Sequence, residues 1–234
     1  MSKRTLPSTL PLPKAGQART WWRAPASRSA LAWAVGRAAQ AHAGPILLVA
    51  RDNHAAHQLE ADLHTLLGPD SVGPNSELPV LAFPDWETLP WDRFSPHQDI
   101  VSQRLAALLR LPTLAHGIVV APIQTLMQRV APLRYVIGNT FDVRVGQTLD
   151  MHAEKRRLEC AGYRNVPQVF DPGDFAVRGG LLDVYPMGAS EPYRVELFDD
   201  SIESIRAFDP ESQRSVDKVV AVRMLPGAEG PLDG

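Results

Sequence analysis

The sequence predicts an α/β fold in two parts: an open parallel sheet with helices on both faces, and a smaller α+β domain, mostly antiparallel, inserted after it. Three observations predict it. Apolar runs at 46–50 (ILLVA), 80–83 (VLAF) and 117–121 (GIVVA) alternate with stretches of helical period. From about Pro132 the pattern changes to short strand-like segments punctuated by Gly and Pro. With 234 residues, 44% of them hydrophobic and 21% charged, the chain can bury one ordinary core and a smaller one.

Residues 1–20 are Pro-rich and without period, which reads as a disordered arm. Ser29 to His42 is predicted as a helix with Ala30, Ala34 and Ala38 on one stripe, capped by Ser27 or Ser29 and stopped by Gly44-Pro45. Ile46–Ala50 reads as a strand buried on both faces. Asn53 to Leu67 is a helix with Leu59, Leu63, Leu66 and Leu67 at helical spacing and Gly68-Pro69 as its stop. Val80–Phe83 is a second strand. A helix is expected from near Ser95, with Pro96 in its first turn, to Leu111, directing Val101, Leu105 and Leu108 inward. Gly117–Ala121 is a third buried strand, with a short helix after it from Pro122 to Arg129. Residues 21–130 therefore form the first half of the parallel domain.

Strands are expected at 133–137, 140–145, 168–170, 175–178, 181–185, 193–198 and 202–208, with one helix from Asp150 to Ala161 that Gly162 terminates. Residues 131–212 make the inserted domain, and 213–234 begin a return into the first, with a strand at Val219–Met224. Pro172-Gly173-Asp174 lies between Gln168-Val169-Phe170 and Phe175-Ala176-Val177, which predicts a tight turn in a hairpin. Gly179-Gly180 allows the backbone to bend again before the next strand. Arg164 and Arg178 stand just outside the two ends of that hairpin. Their forked guanidinium groups could converge on one carboxylate or phosphate, or could close ordinary surface ion pairs.

One cysteine, Cys160, excludes a disulfide framework and a cysteine-based zinc site, fits a reducing cytosol, and is expected to pack on its helix. No apolar run is long enough to span a bilayer. His54, His57 and His64 share a helix without a carboxylate placed to complete a ligand set, so no metal site is read there. Asp85, Glu87 and Asp92 are separated by bulky residues on a proline-stiffened loop, and packing of Trp86 and Trp91 is the preferred reading of FPDWETLPWD. The net charge is −2, yet the first 50 residues carry seven basic groups and no acid, leaving −9 for the rest. A basic DNA-binding or structural module is therefore the alternative functional reading.

A parallel sheet raises the question of nucleotide binding, which needs a Gly-rich loop with Lys and Ser or Thr at a helix N-terminus. No G-x-x-x-x-G-K-[ST] occurs. In the segment Arg23 to Ser29, Pro25 and Ala26 stand where flexible glycines belong, and Arg28 where a lysine would. Ser27, Arg28 and Ser29 thus mark a degenerate phosphate-loop position.

GYRNVPQVFDPGDFAVRGGLLDVYP (162–186), PYRVELFDDSIESIRAFDPESQRS (192–215), FPDWETLPWDRFSPHQDIVSQRL (83–105) and VVAPIQTLMQRVAP (119–132) resemble the amino-terminal, UvrB-like module of bacterial transcription-repair coupling factors. The resemblance covers about residues 40–225. It implies a degenerate RecA/helicase-like sheet and an inserted domain that recruits UvrA in transcription-coupled nucleotide excision repair. RNA polymerase and double-stranded DNA, with the ATP and Mg²⁺ of a translocase motor, would be engaged by other parts of such a protein, in the bacterial cytoplasm. No cofactor and no ATP hydrolysis are expected of these residues. Arg164 and Arg178 match arginines shared with UvrB-like proteins, and Phe175 and Tyr185 are the expected apolar contacts. UvrB-like sequences carry a further arginine where this chain has Ala176, and a Tyr-rich hairpin that has no counterpart here.

Overall fold

A computed structural model describes residues 27–71, 76–88 and 96–229, with Leu12, residues 16–19, Trp21 and Pro25 ahead of them. The chain divides into two compact units, Met1–Asp85 with Thr113–Gln128, and Trp86–Pro112 with Arg129–Gly234. Most of the expected arm at 1–20, with Trp91, Asp92 and Ser95, lies outside the described residues.

In the first unit, Ser27 accepts a hydrogen bond from the Ala30 amide and so caps α1 (Arg28–Ala41). β1 (Pro45–Ala50) leads into α2 (Asn53–Leu67), capped by Asp52 through the Ala55 amide. β2 (Val80–Ala82) and β3 (Gly117–Pro122) complete a parallel sheet of order β1-β3-β2, in which Ile118 is in register with both Ile46 and Val80. Ala32, Val35 and Ala39 of α1 and Ala56, Leu59 and Leu63 of α2 pack over Val80, Ile118 and Val120. Gly117 has φ +147, and a Cβ there would lie 2.7 Å from the Pro79 carbonyl oxygen, so only glycine lets β2 and β3 approach this closely.

Two expectations for this unit are corrected. β1 is not buried on both faces, because as an edge strand it leaves Leu47 and Val49 half-exposed while Ala50 is buried. The expected helix at 122–129 is a single 3₁₀ turn, Thr125–Met127, because β3 runs on through Pro122 and Gln128 is already extended.

The second unit contains α3 (Gln98–Arg110), α4 (Leu133–Gly138), β4 (Phe141–Arg144) and α5 (Met151–Cys160). Then follow β5 (Arg164–Asn165), β6 (Asp174–Arg178), β7 (Leu181–Val184), β8 (Tyr193–Phe198), β9 (Ser201–Phe208), β10 (Ser215–Val219) and β11 (Ala221–Met224). The main sheet has the order β10-β9-β8-β7-β6-β5 and is antiparallel except for the β5–β6 pair. β11 pairs antiparallel with β4, so the expected strand at 219–224 is broken at Val220 into two strands of different sheets.

Strand alternation sends Phe175, Leu182, Val184, Val195 and Ile205 to one face, joined by Ile202 across the register shift in the β8–β9 pair, where they meet Val101 and Leu105 of α3 and Leu158 of α5 in the main core. Tyr163 ties this core together. Its hydroxyl donates to the Leu225 carbonyl at 2.7 Å and accepts from the Met187 amide at 3.1 Å, and burial pushes its pKa up.

Residues 133–137 form α4 and not a strand: Pro132 accepts from the Tyr135 and Val136 amides, and the apolar run buries only Val136 while Leu133 and Ile137 stay exposed. Cys160 is exposed on the outer side of α5 instead of packed.

Glu154, on the inner side of α5, is buried with Oε1 unpartnered, and Arg157 approaches its other oxygen only to 3.8 Å. Burial lifts the Glu154 carboxyl above the ordinary range, and Arg157 offsets part of that. The folded state then binds the proton more tightly than the unfolded chain, so this group's contribution to stability is lost as pH rises out of the ordinary carboxylate range. Glu154→Gln is expected to raise Tm at pH 7, with the gain vanishing below about pH 4, where an ordinary carboxyl is protonated. Thermal melts across that range check it.

Candidate functional site

Main-chain alternation decides which side chains meet on the outer face of the six-stranded sheet. On β6, Asp174, Ala176 and Arg178 point away from the core, while Phe175 and Val177 point into it. Register brings Arg164 beside Asp174 across the parallel β5–β6 pair, Asp183 beside Ala176, and Arg194 beside Asp183.

Residues 166–173, between β5 and β6, fold back across this face as a strap. Val169 of the strap forms a small second core with Ala176 and Phe208 of the sheet, with Val166 and Tyr185 against it. The strap replaces the expected hairpin. Pro167 and Pro172 lack amide hydrogens, and Asp174 Oδ2 accepts from the Phe170 amide at 3.3 Å and the Asp171 amide at 3.0 Å, so these groups are not free for a ladder. The observed hairpin joins β6 to β7, pairing Arg178 with Leu181 across Gly179-Gly180, with Gly179 at φ +60.

Arg164 and Arg178 therefore share one face but do not converge on a single acid. Arg164 Nη2 lies 2.8 Å from Asp174 Oδ1 and 3.7 Å from Asp171 Oδ2. Arg178 Nη2 donates to the Pro167 carbonyl at 2.5 Å, and no ion pair to Arg178 is found among the described residues. Arg164, on β5, pairs beside the Asp174 end of β6 and Arg178 ends that strand, about 13 Å farther along it at the usual rise per residue. Half of the Arg164 side chain is exposed, as is Arg178. Each arginine thus stays part-exposed while its guanidinium is bonded at one end of the strap.

Tyr185 lies on the same face, half-buried, its hydroxyl donating to the Ser190 carbonyl at 3.1 Å. Burial raises its pKa, and the carboxylates of Asp99, Glu191 and Asp171 add to the shift. Phe175 does not share this face. It is 0% exposed in the main core, so the expectation that it offers apolar contact to a partner is corrected. Ala176 is buried under the strap, so the position where UvrB-like sequences carry a further arginine serves packing here.

Sequence reasoning missed the acids that organise these arginines. Asp174 holds the strap, and Asp183 binds Arg194 through both oxygens at 2.7 and 2.9 Å while Arg194 lies 4.9 Å over the Phe208 ring. The Asp183 hydrogen bond raises the Arg194 pKa, keeping the pair charged. The Asp-x-x-Asp spacing of 171 and 174 was the available signal, since that spacing permits carboxylate-to-amide bonds within a turn.

In the first unit, Ser27 caps α1, and Arg28 and Ser29 both turn to Asp62 of α2, at 2.8 Å and 3.3 Å. Hydrogen bonding to Arg28 lowers the Asp62 pKa, so a carboxylate charge stands where a phosphate would need to approach. Arg23, Ala24 and Ala26 lie outside the described residues. The Asp85 carboxylate accepts from the Gln128 side-chain amide while the Asp85 backbone amide donates to Asn53 Oδ1, and Trp86 packs beneath the Arg104 guanidinium at 4.5 Å. No group of three His, Cys, Asp or Glu suited to a metal is found among the described residues. No helix among them is long and apolar enough to cross a membrane.

Comparison with known proteins sets this geometry in context. A family model described as the UvrB interaction domain matches residues 141–229, which hold the six-stranded sheet and the strap. The transcription-repair-coupling factor of Escherichia coli (strain K12) is 43% identical over 225 residues, covering 96% of this chain and 19% of that protein. Those of Haemophilus influenzae and Bacillus subtilis (strain 168) are 44% identical over 187 residues and 30% identical over 185, covering 80% and 79% of this chain and 16% and 15% of theirs. The chain spans about a fifth or less of the length of these relatives.

Proposed function

This chain belongs with the transcription-repair-coupling factors, as a segment bearing the UvrB interaction domain, and from that premise we propose that its six-stranded sheet recruits UvrA. In this reading the segment brings the excision machinery to stalled RNA polymerase in transcription-coupled nucleotide excision repair in the bacterial cytoplasm. It hydrolyses no ATP and holds no cofactor. RNA polymerase, double-stranded DNA, ATP and Mg²⁺ are engaged elsewhere in the whole protein.

The observation that carries the reading is a single sheet face bearing two part-exposed arginines, of which Arg178 has a carbonyl but, among the described residues, no acid for a partner. A forked cation whose charge is not neutralised within its own fold is suited to a partner's carboxylate. Tyr185 on the same face supplies an aromatic neighbour, and Arg and Tyr are the side chains enriched at interface hot spots. The Asp62 carboxylate bonded to Arg28 and Ser29 supports a reading without a phosphate grip.

The test is titration of purified UvrA against the full chain and an Arg164→Ala, Arg178→Ala double variant. Loss of two anchors is expected to cost on the order of 2 kcal/mol or more, about thirtyfold in Kd. Urea denaturation of both proteins controls for loosening of the strap. A double variant that stays folded and binds UvrA as tightly as the parent overturns the proposal.

A further inference from the structure

We propose that Asp171 is an internal competitor for Arg164, one that weakens the grip of this face on a partner's carboxylate; this rests on the UvrA-binding reading above. Two acids stand near Arg164, and their surroundings separate their tasks. Asp174 is 5% exposed, with one oxygen on two backbone amides and the other 2.8 Å from the guanidinium. It builds the turn. Asp171 is 54% exposed, approaches Arg164 only to 3.7 Å, and among the described residues its side chain accepts from no backbone amide. The turn positions Asp171 through its main chain, since its amide donates to Asp174 Oδ2 and its carbonyl accepts from the Asp174 amide at 3.0 Å.

The charge of Asp171 is thus separable from the fold. In water, a pair at this distance and exposure is weak and easily displaced. A carboxylate arriving at Arg164 must nevertheless displace Asp171 or sit within a few ångströms of it, and like charges at that range repel. Both effects lower affinity. The field of Asp171 also reaches Tyr185 on the same face.

Asp171→Asn keeps the side chain's volume and both main-chain bonds while removing the charge. Its affinity for purified UvrA is expected to rise about two- to fivefold, mostly in the association rate, at an unchanged urea midpoint. Asp171→Ser serves as the second variant should the asparagine disturb the turn. In an Arg164→Ala background the same substitution is expected to give a clearly smaller gain, because only the relief of like-charge repulsion is left.

Equal or weaker binding by a folded Asp171→Asn chain overturns the inference, as does a gain that survives intact without Arg164. If the Arg164→Ala, Arg178→Ala chain loses UvrA while Asp171→Asn changes nothing, only this inference fails. If the folded parent chain does not bind UvrA, the functional reading and this inference fail together.

Discussion

Arg104→Ala is expected to destabilise the second unit by about 3–5 kcal/mol, the cost of leaving a buried charge without its partner. The Arg104 side chain is 0% exposed and that of Glu229 3%, with Nε and Nη2 of the arginine at 2.5 Å and 3.2 Å from the two carboxylate oxygens. The guanidinium also lies over Trp86 at 4.5 Å, so truncation removes a cation–π contact as well as the ion pair. Burial raises the Glu229 pKa even with Arg104 present, and Arg104 lowers it again in part. Without the arginine the folded-state pKa rises further, so the deficit is largest at neutral pH and shrinks as Glu229 becomes protonated at low pH. Urea denaturation at pH 7 and pH 4 measures both. A loss below about 1 kcal/mol at pH 7 would mean the pair is solvated. Replacing both partners by apolar residues of similar size is expected to recover most of the loss.

Phe175→Ala is expected to cost about 3–5 kcal/mol, the usual range for emptying a large aromatic site in a packed core. The ring is fully buried among Leu182, Val184 and other residues of the main core, on the sheet face opposite Arg164 and Arg178. On the proposed UvrA-binding reading, the variant should therefore lose that binding through unfolding and not through a missing contact. Two measurements separate these outcomes. The urea midpoint should drop sharply, and at temperatures where the variant remains folded its affinity for UvrA should match the parent's. A folded, normally stable Phe175→Ala chain with weakened binding would place the ring at the interface after all.

The longer helices were legible because they rest on local signals. Ser27 and Asp52 cap helices through their own side chains, alanine and leucine recur at helical spacing, and Gly162 follows α5 as expected. The apolar runs at 46–50, 80–83 and 117–121 do become parallel strands. Errors fell where a short apolar or turn-rich stretch had two local solutions. Leu133-Arg134-Tyr135-Val136-Ile137 reads as a strand by composition, yet Pro132 accepts two amides and closes a helical turn. Gln168-Val169-Phe170 reads as a hairpin arm, yet the Asp174 carboxylate draws two of the neighbouring amides out of any ladder.

What the linear order of residues determined by itself was the two-part α/β architecture, the missing phosphate loop, and the pair of arginines worth examining. Their neighbours were decided only in three dimensions. Strand register sets Arg164 against Asp174 and turns Phe175 inward, and the strap over Ala176 gives Arg178 the Pro167 carbonyl instead of an acid. The physical reason is the two-residue period of a strand: a sequence shows which side chains alternate, but pairing with a distant strand selects the buried face and the partners on the other.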